Sequence, residues 1–189
     1  MKDKVKFNIK NVYIAPMKAD GETTEWDAPI KVPGAVSLVL DPQGDVKPFY
    51  ADGITYYQST ANNGYSGDLE VALFPREVLT AIWKMVEGKT SKVLVENAKD
   101  EPLSFALLFE EDGDKSGTKY VLYNCTGTRP KRTFSTNTEG KEVQTQTSTI
   151  SSAPLENGSV MAMTQEDTPK TVLDEWYKKV YVETGEQNE

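Results

Sequence analysis

Ten residues, Lys141 to Ile150 (KEVQTQTSTI), constrain the fold of this chain more than any other stretch. Val143, Thr145, Thr147 and Thr149 alternate there with Glu142, Gln144, Gln146 and Ser148. β-Branched residues at a period of two specify a strand. Almost none of them is apolar enough for the core of a monomer. Such a strand needs a wet face, a neighbouring chain, or both. Its surroundings are also β-rich. Lys119 to Cys125 (KYVLYNC) has aromatic and branched residues on both faces, and the loop from Thr126 to Gly140 holds the basic cluster Arg129-Pro130-Lys131-Arg132. Asn157-Gly158 reads as a type I′ turn, with Ser159 to Thr164 as the returning strand.

At 189 residues the chain can form one large domain or two small ones. A single domain of that size buries roughly 70% of its unfolded surface and needs no covalent staples. Cys125 is the only cysteine, so there is no internal disulfide framework, which fits a reducing compartment. The opening MKDKVKFNIKN has lysines but no apolar segment and does not read as a signal peptide. No run approaches the roughly 20 apolar residues of a membrane span. The net charge is -8 and histidine is absent. That acidity argues against nucleic acid as a tight ligand, though it suits a surface past which nucleic acid must slide. The missing histidine removes the commonest general base.

Taken in order, Val5, Phe7 and Ile9 alternate with polar residues, Asn11 interrupts, and Val12 to Ile14 continue the strand. Ala35 to Leu40 is a short strand. Gln43 to Gln58 reads as a long hairpin turning at Asp52-Gly53. Leu69, Val71 and Leu73 put one apolar face on Asp68 to Phe74. Pro75 then opens a helix whose stripe is Val78, Leu79, Ile82, Trp83 and Val86 and which Gly88 ends, a span of 75–87. Leu103 to Phe109 is an apolar central strand. Thr168-Pro169 starts a short helix with Val172, Leu173, Trp176 and Val180 inward, and Tyr181 to Glu189 reads as a mobile acidic tail. The fold class is mainly β with some helix: two packed antiparallel sheets, a sandwich-like barrel, one flanking helix and a short C-terminal helix. The division is a β domain over 1–165, with a hairpin arm at 43–58, and a C-terminal helix and tail over 166–189.

No constellation of catalytic residues stands out. Asp112, Asp114 and Ser116 match the first half of a calcium loop, but position twelve is Tyr123 rather than a bidentate glutamate, and the flanks are strands. Glu110 and Glu111 are adjacent on a strand and point to opposite faces, which is wrong for paired acid–base work. Cys125 has no histidine to activate it. Asn124-Cys125-Thr126 and Asn157-Gly158-Ser159 match the glycosylation sequon but need secretion to be used. We expect no enzyme, no cofactor and no metal.

Four stretches in order resemble the major tail protein of long-tailed phages of Gram-positive bacteria. They are Asn8 to Ala15, Phe49-Tyr50-Ala51-Asp52-Gly53, Gly67 to Phe74 with Pro75 and the helix, and Tyr123-Asn124-Cys125-Thr126 through Arg129-Pro130 with the Thr-rich strand. The order and spacing match over nearly the whole chain, except at the C-terminal helix and tail. The resemblance implies the tail-tube fold and a subunit of hexameric rings that stack into a channel for DNA, located in the virion tail. It also implies tape-measure, tail-terminator and baseplate or initiator partners, with DNA only in passing and no membrane.

On that reading, Pro48, Phe49, Tyr50, Asp52, Gly53, Tyr56 and Tyr57 of the hairpin, with Arg129, Lys131 and Arg132, are candidate inter-subunit contacts. Glu142, Gln144, Gln146 and Ser148 are candidates for a channel wall or an inter-subunit strand. Lys2, Lys4, Lys6 and Lys10 make the start basic, while Glu166, Asp167, Asp174, Glu175, Glu183, Glu186 and Glu189 make the end acidic, so the two are expected to meet between stacked rings. The alternatives are a head–tail joining protein that forms a single ring and a carbohydrate-binding β-sandwich.

Overall fold

The run Phe105-Ala106-Leu107-Leu108-Phe109 is apolar at every position, and a strand of that kind must be covered on both faces. The computed structural model, which describes residues 8–18, 24–112, 117–136 and 143–183, buries it completely. The elements in chain order are β1 (Asn8–Pro16), β2 (Ile30–Val32), β3 (Ala35–Leu38), β4 (Asp41–Pro42), β5 (Val46–Ala51), β6 (Ile54–Thr60), β7 (Tyr65–Val71) and α1 (Arg76–Ala81). They continue with β8 (Val86–Glu87), β9 (Leu94–Val95), β10 (Phe105–Asp112), β11 (Lys119–Gly127), β12 (Lys131–Arg132), β13 (Gln146–Ala153), β14 (Met161–Met163) and α2 (Lys170–Glu175).

Ten strands form one antiparallel sheet in the order β2-β1-β10-β11-β13-β7-β3, with β12 added to β13, β14 to β11 and β4 to β7. The expected pair of packed sheets is instead one sheet whose halves face each other. It curls until β3 lies against β1. Irregularities in the pairing help it bend: the register shifts between Lys10 and Tyr13, where Asn11 takes a φ of 51°, and again within the β10–β11 and β3–β7 pairs. Val12, Ile14, Leu69, Val71, Phe105, Leu107, Leu122 and Ile150 fill the interior.

Segment 74–85 plugs one end of this barrel. Phe74, Val78, Ile82 and Trp83 join the interior cluster. Trp83 meets Phe74 edge-on at 5.1 Å and donates its Nε1–H to the Gly127 carbonyl at 3.2 Å. The opposite end is open, a recess of about 500 Å³ lined by Ile9, Leu38, Leu40, Tyr65, Phe109 and Met161 among others.

Three sequence expectations are corrected. The helix stops at Ala81 rather than running through 87, because Lys84 takes a φ of 56° and the Ile82 carbonyl accepts the Leu103 N–H at 2.8 Å. Val86 is therefore exposed in β8, and Gly88 lies in the β8–β9 hairpin. Asn157-Gly158 does not reverse a hairpin: β13 and β14 run the same way along one edge of β11, and only Gly158 of the pair has positive φ, at 82°. Nor is Tyr181 part of a free tail. Residues 170–182 form a strap over the outer face of β1, β10 and β11, where Trp176 covers Ala15, Ala106, Leu108, Val121 and Tyr123. Tyr181 stacks on Trp176 at 5.5 Å, and Tyr177 stacks on Tyr13 at 4.6 Å. Glu186 and Glu189 lie outside the described residues, as do Lys2, Lys4 and Lys6.

Candidate assembly surfaces

The hairpin arm is the first candidate. Among the described residues β5 and β6 pair with each other and with no other strand, from Val46 opposite Thr60 to Ala51 opposite Ile54. Asp52 and Gly53 have φ of 53° and 77°, both left-handed as a type I′ turn requires. Phe49 faces Tyr57 across the strands, Pro48 faces Gln58, and a bulge leaves Tyr56 as the extra residue. Every residue of the two strands except Ala51 is exposed, with Phe49 60%, Tyr50 65%, Tyr56 71% and Tyr57 64% accessible. A two-stranded hairpin alone in water is marginal at best. Burying an apolar side chain of this size is worth roughly 1.5–3 kcal/mol, a gain the arm leaves unused within its own subunit.

The second candidate is a wet face of the barrel wall. β13 turns Ser148, Ile150 and Ser152 inward and Thr147, Thr149 and Ser151 outward. Ser148 Oγ donates to the Thr128 carbonyl at 2.7 Å, and Gln146 Oε1 accepts the Phe74 N–H at 3.0 Å. This corrects the expected channel-wall set: Gln146 and Ser148 serve the subunit's own interior. Gln144 is exposed and bonds Ser135 at 2.7 Å, and Glu142 lies outside the described residues. The outward row is Thr-rich and acidic instead. Thr149 donates to Asp68 at 2.7 Å, and Glu70 accepts from Thr145 at 2.6 Å and from Ser37 at 3.1 Å. Paired registers place these groups in adjacent rows on β3, β7 and β13.

The basic cluster divides. Arg129 pairs with Glu96 of its own chain and ties the segment after β9 to the end of β11. Lys131 and Arg132 form β12, opposite Thr147 and Gln146, and both are exposed. The expected meeting of a basic start and an acidic end is also revised. Lys10 lies 2.9 Å from Asp112 and 3.4 Å from Glu110. Asp174 pairs with Lys170 and Glu175 with Lys178 inside the strap. The start of β1 and the turn at Glu166 and Asp167 both lie at the open end, so they do not stand at opposite ends of the subunit.

Sequence reasoning missed two features. One is the surface that the C-terminal helix and the residues after it cover, with its anchor. Glu110 is buried and accepts from Asn11 at 3.0 Å, Lys119 at 3.0 Å and Tyr177 at 2.9 Å. Burial alone would raise this carboxyl, but the three donors and the Lys119 charge outweigh it and hold the group below its usual range. The sequence marks Trp176 as inward on a short helix; Tyr177 and Tyr181 beside it are the unused signal. The other is the β8–β9 hairpin, signalled by Val86 and by Val93-Leu94-Val95 on either side of Gly88. Burial pushes the Cys125 thiol up to about 12, leaving no thiolate for chemistry at neutral pH. Among the described residues no group of three or more metal-binding side chains could hold an ion, and Asp114 and Ser116 lie outside them. Among the described residues no helix is long and apolar enough to cross a membrane.

No family model and no curated protein sequence matches the chain. Solved structures do match. A chain from the six-fold symmetrised cryo-EM structure of the anti-feeding prophage baseplate is 10% identical, with a TM-score of 0.51 over 88% of this chain and 99% of that one. A chain from the tube-terminating cap of the same particle is 12% identical, with a TM-score of 0.48 over 85% of this chain and 93% of that one. The baseplate likeness is one of fold.

Proposed function

We propose that this chain is a non-catalytic structural subunit of a phage-type tail, self-associating into hexameric rings that stack into a tube for DNA. The observation that carries the reading is the arm, with four exposed aromatics on a hairpin that pairs with no other strand among the described residues. The shared fold with a chain of a six-fold symmetrised baseplate supports it, as does the sequence resemblance to phage tail-tube proteins. The row of Thr145, Thr147, Thr149, Asp68 and Glu70 suits a water-filled wall, because its hydroxyls are well solvated and its carboxylates repel phosphates. A barrel continued across subunits would also protect the short edges at β2 and β3. Tape-measure, terminator and initiator proteins are the partners such a tube requires.

The test is deletion of residues 48–57 with a Gly-Gly closure. The barrel core contains none of these residues, so the variant should fold and melt as the wild type does. Negative-stain microscopy at high concentration should show tubes for the wild type and none for the deletion. Tubes from the deletion variant would remove the arm from assembly, and isolated rings from the wild type would favour a head–tail joining role.

A further inference from the structure

The exposed apolar residues gather at two opposite ends of the barrel. Of the sixteen large hydrophobics exposed among the described residues, six are on the arm. Six more, Leu73, Val86, Val93, Val95, Phe134 and Val143, lie on segments that meet at the plugged end. The arm leaves the open end, beside Leu40 and Tyr65. The β8–β9 hairpin belongs to the plugged end. Arg76 of α1 reaches Glu87 at 3.3 Å, and Arg129 at the end of β11 holds Glu96. Val86 and Val95 face each other across β8 and β9, and Val86, Val93 and Val95 are each more than half exposed.

Charge divides the same way. Loops at the open end carry Asp41, Asp45, Asp52, Glu156 and Asp167 against Lys47. At the plugged end Arg76, Lys84, Lys89, Lys92 and Lys99 are balanced by Glu77, Glu87, Glu96, Asp100 and Glu101, and Arg129, Lys131 and Arg132 at the end of β11 and in β12 tip that end to a basic excess.

From these two observations we infer that the β8–β9 hairpin is the seat for the aromatic arm of a second copy, joined head to tail. The inference rests on the self-assembly reading above. Branched residues are good packing partners for aromatic ones on a β surface. The acidic end approaching the basic end steers the encounter and fixes its direction. A contact between two different surfaces of one protein leaves a free arm and a free seat after each addition, so it propagates.

The experiment uses two full-length variants. Tyr56→Glu/Tyr57→Glu disables the arm and leaves the seat. Val86→Glu/Val95→Glu disables the seat and leaves the arm. All four positions are exposed, so both proteins should fold, checked by circular dichroism and melting. Should the seat variant unfold, Val93→Glu replaces it. Sedimentation velocity should show each variant alone as a monomer and the equimolar mixture as dimers, since one good arm and one good seat remain. Wild-type tubes together with no mixed dimer would overturn the seat and leave the tube reading standing. Mixed dimers from a protein that makes no tubes would support the seat and overturn the tube. No association of wild type or mixture would overturn both.

Discussion

Tyr177→Phe probes how firmly the C-terminal strap is held. The substitution keeps the ring stacked on Tyr13 and removes one hydroxyl, the 2.9 Å donor to Glu110. A hydrogen bond to a charged group is worth about 1.5–3 kcal/mol net. Glu110 keeps Asn11 and Lys119, each at 3.0 Å, so the low end applies, about 1.5 kcal/mol. For a chain of this size that is a fall in Tm of roughly 3–6 °C. The pH dependence follows from the direction of the Glu110 shift. Its folded pKa lies below the ordinary carboxyl value, so its stabilisation is fully present above about pH 4.3 and is lost as pH falls through the lower, folded value. Neutral hydrogen bonds are about half as strong as charged ones. The gap between wild type and Tyr177→Phe should therefore hold steady at neutral pH and shrink by roughly half once Glu110 is protonated. Glu110→Gln should cost more, because Lys119, with 17% of its side chain exposed, loses its buried counter-charge. It should also flatten the acid limb. Thermal melts followed by near-UV circular dichroism at several pH values measure all of this. Identical melting of Tyr177→Phe and wild type, or a gap indifferent to pH, would refute the anchor.

Two other outcomes are expected. Trp83→Ala removes a buried indole, its bond to the Gly127 carbonyl and its edge contact with Phe74; it should cost roughly 3–5 kcal/mol and lower soluble yield, and unchanged melting would show that the barrel plug does not depend on it. Association should slow as salt rises from about 50 mM to 500 mM, because screening shortens from roughly 14 Å to 4 Å; light-scattering rates insensitive to salt would show that the acidic and basic ends do not steer docking.

Features decided by a few neighbouring residues were legible in the sequence. Asp52-Gly53 demands two left-handed residues, so the arm and its turn could be read directly. The unbroken apolar run in β10 demands cover on both faces, so its central place could be read as well. The interruption at Asn11 appeared where a positive φ breaks the pairing register of β1. What stayed hidden depended on distant partners. A period of two gives β13 two faces without saying which turns inward, and Ile150 is its one large apolar residue, a thin sign on an otherwise polar strand. Only the Phe74 N–H and the Thr128 carbonyl, brought from other elements, make Gln146 and Ser148 the inward pair. The apolar stripe after Pro75 continues at helical spacing through Val86, yet the Leu103 N–H takes the Ile82 carbonyl and the chain turns at Lys84. The strap is the clearest case. The sequence marks Trp176 as inward on a short helix, but nothing local says which surface it covers or that Tyr177 joins it. That depends on the outer face of β10, whose Ala106 and Leu108 would otherwise meet water, and on Glu110, whose buried charge needs the Tyr177 hydroxyl as one of its donors.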